Sequence, residues 1–556
     1  MAKEGAKVPV VSIALSRLKK MIPNVSEEKI IDMLPFAGLD IEGIDEETIR
    51  VEYNPNRPDF SSDYGIIRSL RGIMGIETGL PRIAVKKSDA SVSVERGVKS
   101  VRPYVFALVA RGGKLDDAAV KQLVAMQEDL HEGIGRRRKK ASIGLHDLDA
   151  IRFPLRYTIV DRDYSFIPLG ETNQKSIRVI LEESETGRLY SHILAGSEKC
   201  PLIVDSSGTV LSLPPIINGS ATKVDENTRN LFVEVTATSR SVGQDALAIL
   251  AVTLHDAGFG IQSVAIRQGK SRLRTPDMKP RKVKTDVSYV NSVLGLELDA
   301  RQVVKCLQKC RLGAKVRHGI IECEIPRYRT DIAGPIDISE ELAIGYGIYK
   351  FEPTLPPAMT SGGMSDLSRQ FDAIREVLTG TGMLESLNFS LGSAQVLYNS
   401  FGRSSHGALS VEGPKSSEHE YLRDSIIPSL LQSLSKNVHE EYPQKLFEIG
   451  KVFNDVQSQI AEGWSVAGCI AHASANFTEA KSTLQTLLGS AFGKSAETNP
   501  NSDQFFIPGR SAEILVDGIK VGRIGEITPL ALENFRLRIP VSAFELDLSR
   551  LLRLPQ

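Results

Sequence analysis

Nowhere do the 556 residues reach the ~20 uninterrupted apolar positions a membrane-spanning helix requires. The opening MAKEGAKVPVVSIALSRLKK also lacks the hydrophobic stretch and cleavage site of a secretory signal. A cytoplasmic location with no membrane partner is therefore expected. Excess charge of either sign is missing as well: Lys+Arg and Asp+Glu each number 68. No global field draws such a chain to nucleic acid, and any RNA contact must come from local patches. Cysteine is scarce. The five residues Cys200, Cys306, Cys310, Cys323 and Cys469 form no CxxC pair, and an odd number in an intracellular chain argues against a disulfide framework. Cys306 and Cys310 lie one helical turn apart, but with no second His or Cys pair they read as buried helix rather than as zinc ligands. GxSxG, GxxxxGK[ST], HExxH and a strand-to-helix GxGxxG are all absent, which removes most familiar enzyme mechanisms.

What is present is length, with 41% hydrophobic residues, enough for several cores and roughly three to five domains. The first 85 residues alternate short strands and helices. VPVVSIAL and IRVEYN are strand-like, SEEKIIDMLPFAG is a helix that Ser26 can cap, and a later helix aligns Ile66, Ile67, Leu70 and Ile73. Residues 101–275 are mixed, with a helix in DAAVKQLVAMQEDLHEG, a strand in NLFVEVTATS and a helix in VGQDALAILAVTLHDAG. Residues 281–352 read as a winged-helix-like unit of two helices, a β element and a final helix, bounded by prolines. From 359 to 556, long helices alternate with strands such as QKLFEIGKVF, predicting an antiparallel sheet flanked by helices. The fold class expected is α+β and multidomain.

Four constellations carry chemistry. In RTDIAGPIDISEELAIGYG, Asp337, Glu340 and Glu341 fall at i, i+3 and i+4 of a helix beginning near Ile336, with Asp331 just before it. Four oxygen donors suit a hard cation, Mg²⁺ above all, if it keeps water or shares ligands with a partner. Acidic residues in a first helical turn also complement the helix dipole, and spacing alone favours that simpler account. The run Arg136, Arg137, Arg138, Lys139, Lys140 can lie along phosphates or be a solvated loop. His146, beside Asp147 and Asp149, suits acid-base work near neutrality, though no nucleophile accompanies it. In PPIINGSATKVDENTRNLFVEVTATS, Glu234 and Thr236 share a strand face and Gly219 and Ser220 are small, which fits either a pocket lining or an ordinary half-exposed strand.

Together NRPDFSSDYGIIRSLRGI, PPIINGSATKVDENTRNLFVEVTATS and IPRYRTDIAGPIDISEELAIGYGIYKFEP resemble the β subunit of phenylalanyl-tRNA synthetase, archaeal/eukaryotic type. The resemblance runs along nearly the whole chain. It implies an N-terminal B1-like module (1–85), a B3/B4 editing domain (101–275), a B5 domain (281–352) and a catalytically silent class II synthetase core-like domain (359–556) that contributes the tetramer interface. It also implies that Asp331, Asp337, Glu340 and Glu341 bind Mg²⁺ near the α subunit.

By the same resemblance the B3/B4 domain hydrolyses tyrosine mischarged onto tRNA(Phe), correcting a pocket that separates near-isosteres imperfectly. Glu234 and Thr236 would recognise the tyrosine hydroxyl, Asn218 and Gly219 would stand near the ester, His146 would line the pocket, and a positioned water would attack. The partners implied are the α subunit in an α2β2 tetramer, tRNA(Phe), and ATP and phenylalanine bound through the α subunit. YLRDSIIPSLLQSLSKNVHEEYPQKLFEIGKVF is similar to a class II ATP-binding segment, yet no GxGLGxxR follows it. There is no inserted oligonucleotide-binding domain and no terminal anticodon module, as the archaeal/eukaryotic type would have it. The competing readings are a non-catalytic RNA-binding scaffold and a free-standing deacylase.

Overall fold

The structure is a computed structural model that describes residues 8–355, 361–456 and 459–552. The first seven residues and the expected boundary at 359 lie outside the described residues. Contacts divide the chain into two units, one running to residue 354 and the other from residue 355.

The first unit opens with β1 (Val10–Ala14), α1 (Leu15–Met21), α2 (Glu27–Met33), β2 (Leu39–Ile44), β3 (Thr48–Tyr53) and α3 (Asp63–Ile73), the strands forming an antiparallel sheet in the order β1-β3-β2. Ser26 caps α2 by accepting from the Lys29 N–H. Ile66, Ile67, Leu70 and Ile73 are all buried in this module's core, as their helical spacing requires.

A ten-stranded sheet follows. Its elements are β4 (Lys86–Val94), β5 (Tyr104–Arg111), α4 (Asp117–Glu132), β6 (Ala141–Asp147), β7 (Leu155–Asp161), the short pair β8 and β9 (Ser165–Phe166, Lys175–Ser176), α5 (Ile177–Glu183), α6 (Glu185–Tyr190), β10 (Lys199–Val204), β11 (Val210–Leu213), β12 (Ile217–Asn218), β13 (Asn230–Ala237), α7 (Arg240–Asp256), β14 (Gly260–Gln268) and β15 (Ser271–Thr275). The strand order is β12-β11-β10-β7-β4-β14-β5-β13-β6, with β15 on β14. One core joins α4 and α7 to β5, β6 and β13; a second lies across the sheet around Val92, Tyr157, Phe232 and Val264. Alternation along each strand sends successive side chains to these two cores.

Next come β16 (Arg281–Asp286), α8 (Val287–Leu294), α9 (Ala300–Lys309), β17 (Gly313–Arg317), β18 (Ile320–Ile325) and α10 (Pro335–Tyr346), with sheet order β16-β18-β17. The strand β16 ahead of the two helices was not anticipated; its Lys-Val-Lys-Thr alternation is legible only as an edge strand paired to β18. Cys306, Cys310 and Cys323 are core residues here.

The second unit places α11 (Asp366–Gly380), β19 (Leu384–Glu385), β20 (Leu391–Gly392), α12 (Ala394–Leu397), β21 (Tyr421–Leu422), α13 (Ile427–Lys436), β22 (Gln444–Val456), β23 (Gln459–Ala471), α14 (Phe477–Phe492), β24 (Glu497–Pro500), β25 (Phe506–Val516), β26 (Ile519–Ile527), α15 (Pro529–Asn534), β27 (Val541–Asp547) and α16 (Leu548–Leu551). Its seven-stranded sheet runs β19-β22-β23-β27-β26-β25-β24, antiparallel except where β19 meets β22. Helices α11 and α14 cover one face through Ile374, Leu378, Leu484 and Leu488, and α13 covers the other through Leu430 and Leu431.

Candidate functional site

Strands β6 and β13 run antiparallel with Phe232 opposite His146, Glu234 opposite Gly144 and Thr236 opposite Ser142. On its other side β13 pairs with β5, setting Glu234 opposite Ala107. Glu234 thus rises between two positions with almost no side chain. A β-carbon at Gly144 would lie 2.6 Å from both Glu234 Oε1 and His146 Nε2, so glycine at 144 is what gives those two groups room.

Glu234 is only 2% exposed, and burial lifts its carboxyl to about 7, offset in part by the Ser212 hydroxyl and the Arg102 charge. Ser212 Oγ donates to Oε1 at 2.9 Å, while Oε2 is buried with no partner. His146 is fully buried; its Nδ1 pairs with Thr222 Oγ at 2.9 Å and its Nε2 has no partner. Two buried polar atoms without partners, on side chains that meet over Gly144, are what a ligand with polar groups would satisfy.

The acid-base expectation for His146 fails here. Asp147 and Asp149 turn instead to a backbone N–H and to Asn230, and burial alone drives the imidazole down to about 3. The ring is neutral at physiological pH and too weak a base to activate water.

Thr236 also differs from its expected role. Its hydroxyl is fully buried and taken by Arg102 Nε at 3.0 Å and Ser142 Oγ at 2.8 Å, so it supports the strand. Arg102, itself 1% exposed, also donates to the Thr236 and Lys139 carbonyls. Gly219 spends its N–H on the Leu211 carbonyl, and a β-carbon there would come within 2.2 Å of Val210 O. Close packing therefore requires glycine at 219. Asn218 is half-buried and reaches the Leu145 carbonyl at 3.5 Å, at the rim of the same region.

The basic run divides. Arg136, Arg137 and Arg138 all have positive φ, of 51°, 52° and 60°. Arg138 is buried: its guanidinium holds Glu128 at 2.8 Å and the Ile216 carbonyl at 2.9 Å. It therefore ties α4 to the turn before β12 and has no guanidinium left for RNA. Arg137 pairs with Glu132, and Arg136 is exposed.

The acidic quartet is arranged around an internal cation. Arg329, 3% exposed, donates to Asp331 Oδ2 at 2.6 Å and to both Glu341 oxygens, the nearer at 2.5 Å. Asp337 Oδ2 accepts the Ala333 and Gly334 N–H groups, satisfying the start of α10. Glu340 is exposed and makes no ion pair among the described residues; partial burial and then the neighbouring Glu341, Asp331 and Asp337 raise its carboxyl. Among the described residues no three His, Cys, Asp or Glu side chains form a metal-holding group. The oxygen donors fit a hard cation in chemistry, but Arg329 holds two of them and a backbone cap a third, so their arrangement does not form a cage.

Comparison with known proteins adds three family matches: the B3/4 domain at residues 87–249, the tRNA synthetase B5 domain at 283–348 and the phenylalanyl tRNA synthetase beta chain CLM domain at 351–548. The phenylalanine-tRNA ligase beta subunit of Archaeoglobus fulgidus is 39% identical over 545 residues, 98% of each chain. This chain belongs to the phenylalanine-tRNA ligase beta subunit family. The Methanocaldococcus jannaschii beta subunit is 36% identical, over 97% of this chain and all of its own. A crystal structure of an N-terminal fragment of the Pyrococcus horikoshii phenylalanyl-tRNA synthetase beta subunit superposes with TM-score 0.59 and 32% identity, covering 61% of this chain and 100% of the fragment.

In this ligase β chain the C-terminal sheet is class II synthetase-like. Its interior charges are already paired. Arg423 meets Glu448 at 2.7 Å, and Arg523 meets Glu545 at 2.6 Å, where Ser425 and the Ile426 N–H also donate. Sequence reasoning missed Arg102 and Ser212 and did not single out Gly144 within IGLHD. The first two sit 132 and 22 residues from Glu234 along the chain in a way no local pattern connects, but IGLHD does carry a signal: a glycine inside a strand marks close approach.

Proposed function

We infer that this chain works as the β subunit of phenylalanine-tRNA ligase, in an α2β2 enzyme that charges tRNA(Phe) with phenylalanine at the expense of ATP. Amino-acid activation belongs to the α subunit, and the B3/B4 domain of the β chain hydrolyses mischarged Tyr-tRNA(Phe). The observation that carries the editing reading is the pair of buried, unpartnered atoms Glu234 Oε2 and His146 Nε2 on side chains that meet over Gly144.

In this reading Glu234 accepts the tyrosine hydroxyl and the neutral His146 ring offers a second hydrogen bond. Phenylalanine, lacking the hydroxyl, would leave the buried carboxylate unpaired, which disfavours it strongly. Thr236, held by Arg102, sets the strand that carries Glu234; Asn218 stands on the ester side. No side chain supplies a nucleophile, so a positioned water attacks. Deacylation assays of Glu234→Ala test the assignment: tyrosyl-ester hydrolysis should fall with phenylalanine charging intact, and unchanged hydrolysis would remove Glu234 from the site.

Magnesium at Asp331, Asp337, Glu340 and Glu341 remains part of the proposal. Its support is the all-oxygen set and the crowding of negative charge at Glu340. Binding requires Arg329 to release its partners, or the α subunit to add oxygens. If so, Glu340→Ala weakens Mg²⁺-dependent tetramer assembly, and an unchanged Mg²⁺ response would refute it. Arg136, exposed like Arg137, Lys139 and Lys140, is the arginine of the run with no ion pair among the described residues, which supports RNA contact. Domain limits of 1–85, 101–275, 281–352 and 359–556, and a cytoplasmic location, complete the reading; no helix among the described residues is long and apolar enough to cross a membrane.

A further inference from the structure

The ten-stranded sheet is covered unevenly. On one face α4 and α7 lie over β5, β13 and β6, and at the far end α5 packs Ile177 and Ile180 against Leu202 and Val204 of β10. Between those covers the same face of β7, β14 and β15 turns to solvent at Arg156, Arg267 and Arg272. Alternation demands this. Tyr157, Val92 and Ile266 point into the opposite core, so their neighbours Arg156, Ser93 and Arg267 project to the open side.

The strand registers line these residues up. Arg156 stands beside Ser93, Ser93 beside Arg267, and Arg267 directly opposite Arg272. With strands ~4.8 Å apart the row spans about 14 Å. Arg156, Arg267 and Arg272 are exposed, and among the described residues none of them has a hydrogen-bond or ion-pair partner. Arg274, opposite Ala265, is also exposed and is anchored on Ser88 O and Ser263 Oγ. Beside the row, Glu95 is engaged by Thr158 at 2.6 Å.

Like charges directly opposite on adjacent strands destabilise a sheet. In a chain with 68 basic and 68 acidic residues, Arg267 and Arg272 carry that penalty with no ion-pair partner among the described residues. An anionic partner would remove it. The small residues Ser93 and Ala265 keep the floor between the guanidinium groups low. None of the four strands exposes a large apolar side chain, which the centre of a protein interface would require. Guanidinium groups without apolar neighbours suit phosphate oxygens.

We propose that Arg156, Arg267 and Arg272, with Arg274 alongside, form a phosphate-contact strip along which the backbone of the RNA substrate lies. This deepens the functional reading above and rests on it: the RNA is tRNA, and the strip holds it on the domain that bears the Glu234 pocket.

The test uses the α2β2 holoenzyme carrying Arg156→Gln, Arg267→Gln and Arg272→Gln together, with tRNA(Phe) binding measured across a KCl series. Each lost phosphate contact should lower the salt slope by about 1, so the slope should fall by roughly 3 and affinity at physiological salt by about 10- to 100-fold. The triple Arg→Lys variant, which keeps the charge, should recover most of the slope. Phenylalanine-dependent ATP-pyrophosphate exchange, which needs no tRNA, and tetramer mass should match the wild type. An unchanged affinity and salt slope would overturn the strip, as would dissociation of the tetramer, which would make it an α-subunit contact. A wild-type holoenzyme that neither binds nor charges tRNA would instead overturn the family reading on which the strip rests.

Discussion

Glu234→Gln should make the enzyme more stable and less able to edit, both in a pH-dependent way. The substitution keeps the side chain's shape and leaves an oxygen for Ser212, but removes the ionisable group. Burial lifts this carboxyl from 4.5 to about 7, a difference corresponding to roughly 3 kcal/mol. An acid raised in the folded state is favourable when protonated. Its stability is therefore complete below about 4.5, declines as the pH rises through about 7, and is fully lost above that. The variant should match the wild type near pH 4.5 and exceed it by up to about 3 kcal/mol at pH 8.5. Hydrogen exchange of β6 and β13 amides reads this locally, which a whole-chain melt of a multidomain protein does not.

In the deacylation assay, losing a hydrogen bond to a charged group costs about 1.5–3 kcal/mol, or roughly 10- to 150-fold in tyrosyl-ester hydrolysis. The ratio of wild-type to variant rates should grow as the pH rises through about 7 and then level off. A ratio independent of pH, or a variant no more stable at high pH, would refute the argument that a buried, ionisable Glu234 reads the hydroxyl.

Gly144→Ala places a methyl group 2.6 Å from Glu234 Oε1 and His146 Nε2; it should cost about 1–3 kcal/mol of stability and abolish tyrosyl-ester hydrolysis while phenylalanine charging persists, as paired charging and deacylation assays would show. His146, held down at about 3 rather than 6.5 by burial, contributes stability present above about 6.5 and lost as the pH falls toward 3. His146→Gln should thus blunt acid destabilisation of β6, followed by hydrogen exchange between pH 4 and 7, and an unaltered acid response would contradict the buried neutral ring. Arg329→Met leaves Asp331 and Glu341 as uncompensated charges, so the melting transition should reflect about 3–5 kcal/mol of lost stability, with part recovered in MgCl₂ if the quartet accepts the cation.

The parts of the fold legible in the sequence were those governed by local period. Ile66, Ile67, Leu70 and Ile73 at helical spacing, and Ser26 at a helix start, needed only their neighbours to be read. The strand carrying Glu234 and Thr236 was equally visible, but the functions of those two residues separate in three dimensions. Glu234 keeps an unpartnered oxygen between Gly144 and Ala107, whereas Thr236, two residues on, is claimed by Arg102 from another strand end. Long-range pairing decides such outcomes, and one-dimensional pattern does not contain it. The basic run misled for the same reason: Arg138 reads as a free charge until Glu128 and the Ile216 carbonyl are brought to it. The arginine row of β7, β14 and β15 exists only through strand register, since its members lie 116 positions apart along the chain from Arg156 to Arg272.

The most direct test gives the α2β2 enzyme Tyr-tRNA(Phe) and Phe-tRNA(Phe) separately and follows ester loss, with Glu234→Ala beside the wild type. Selective hydrolysis of the tyrosyl ester by the wild type, lost in the variant, is the predicted result. Hydrolysis of both esters alike, or of the tyrosyl ester by the variant at the wild-type rate, would contradict the account.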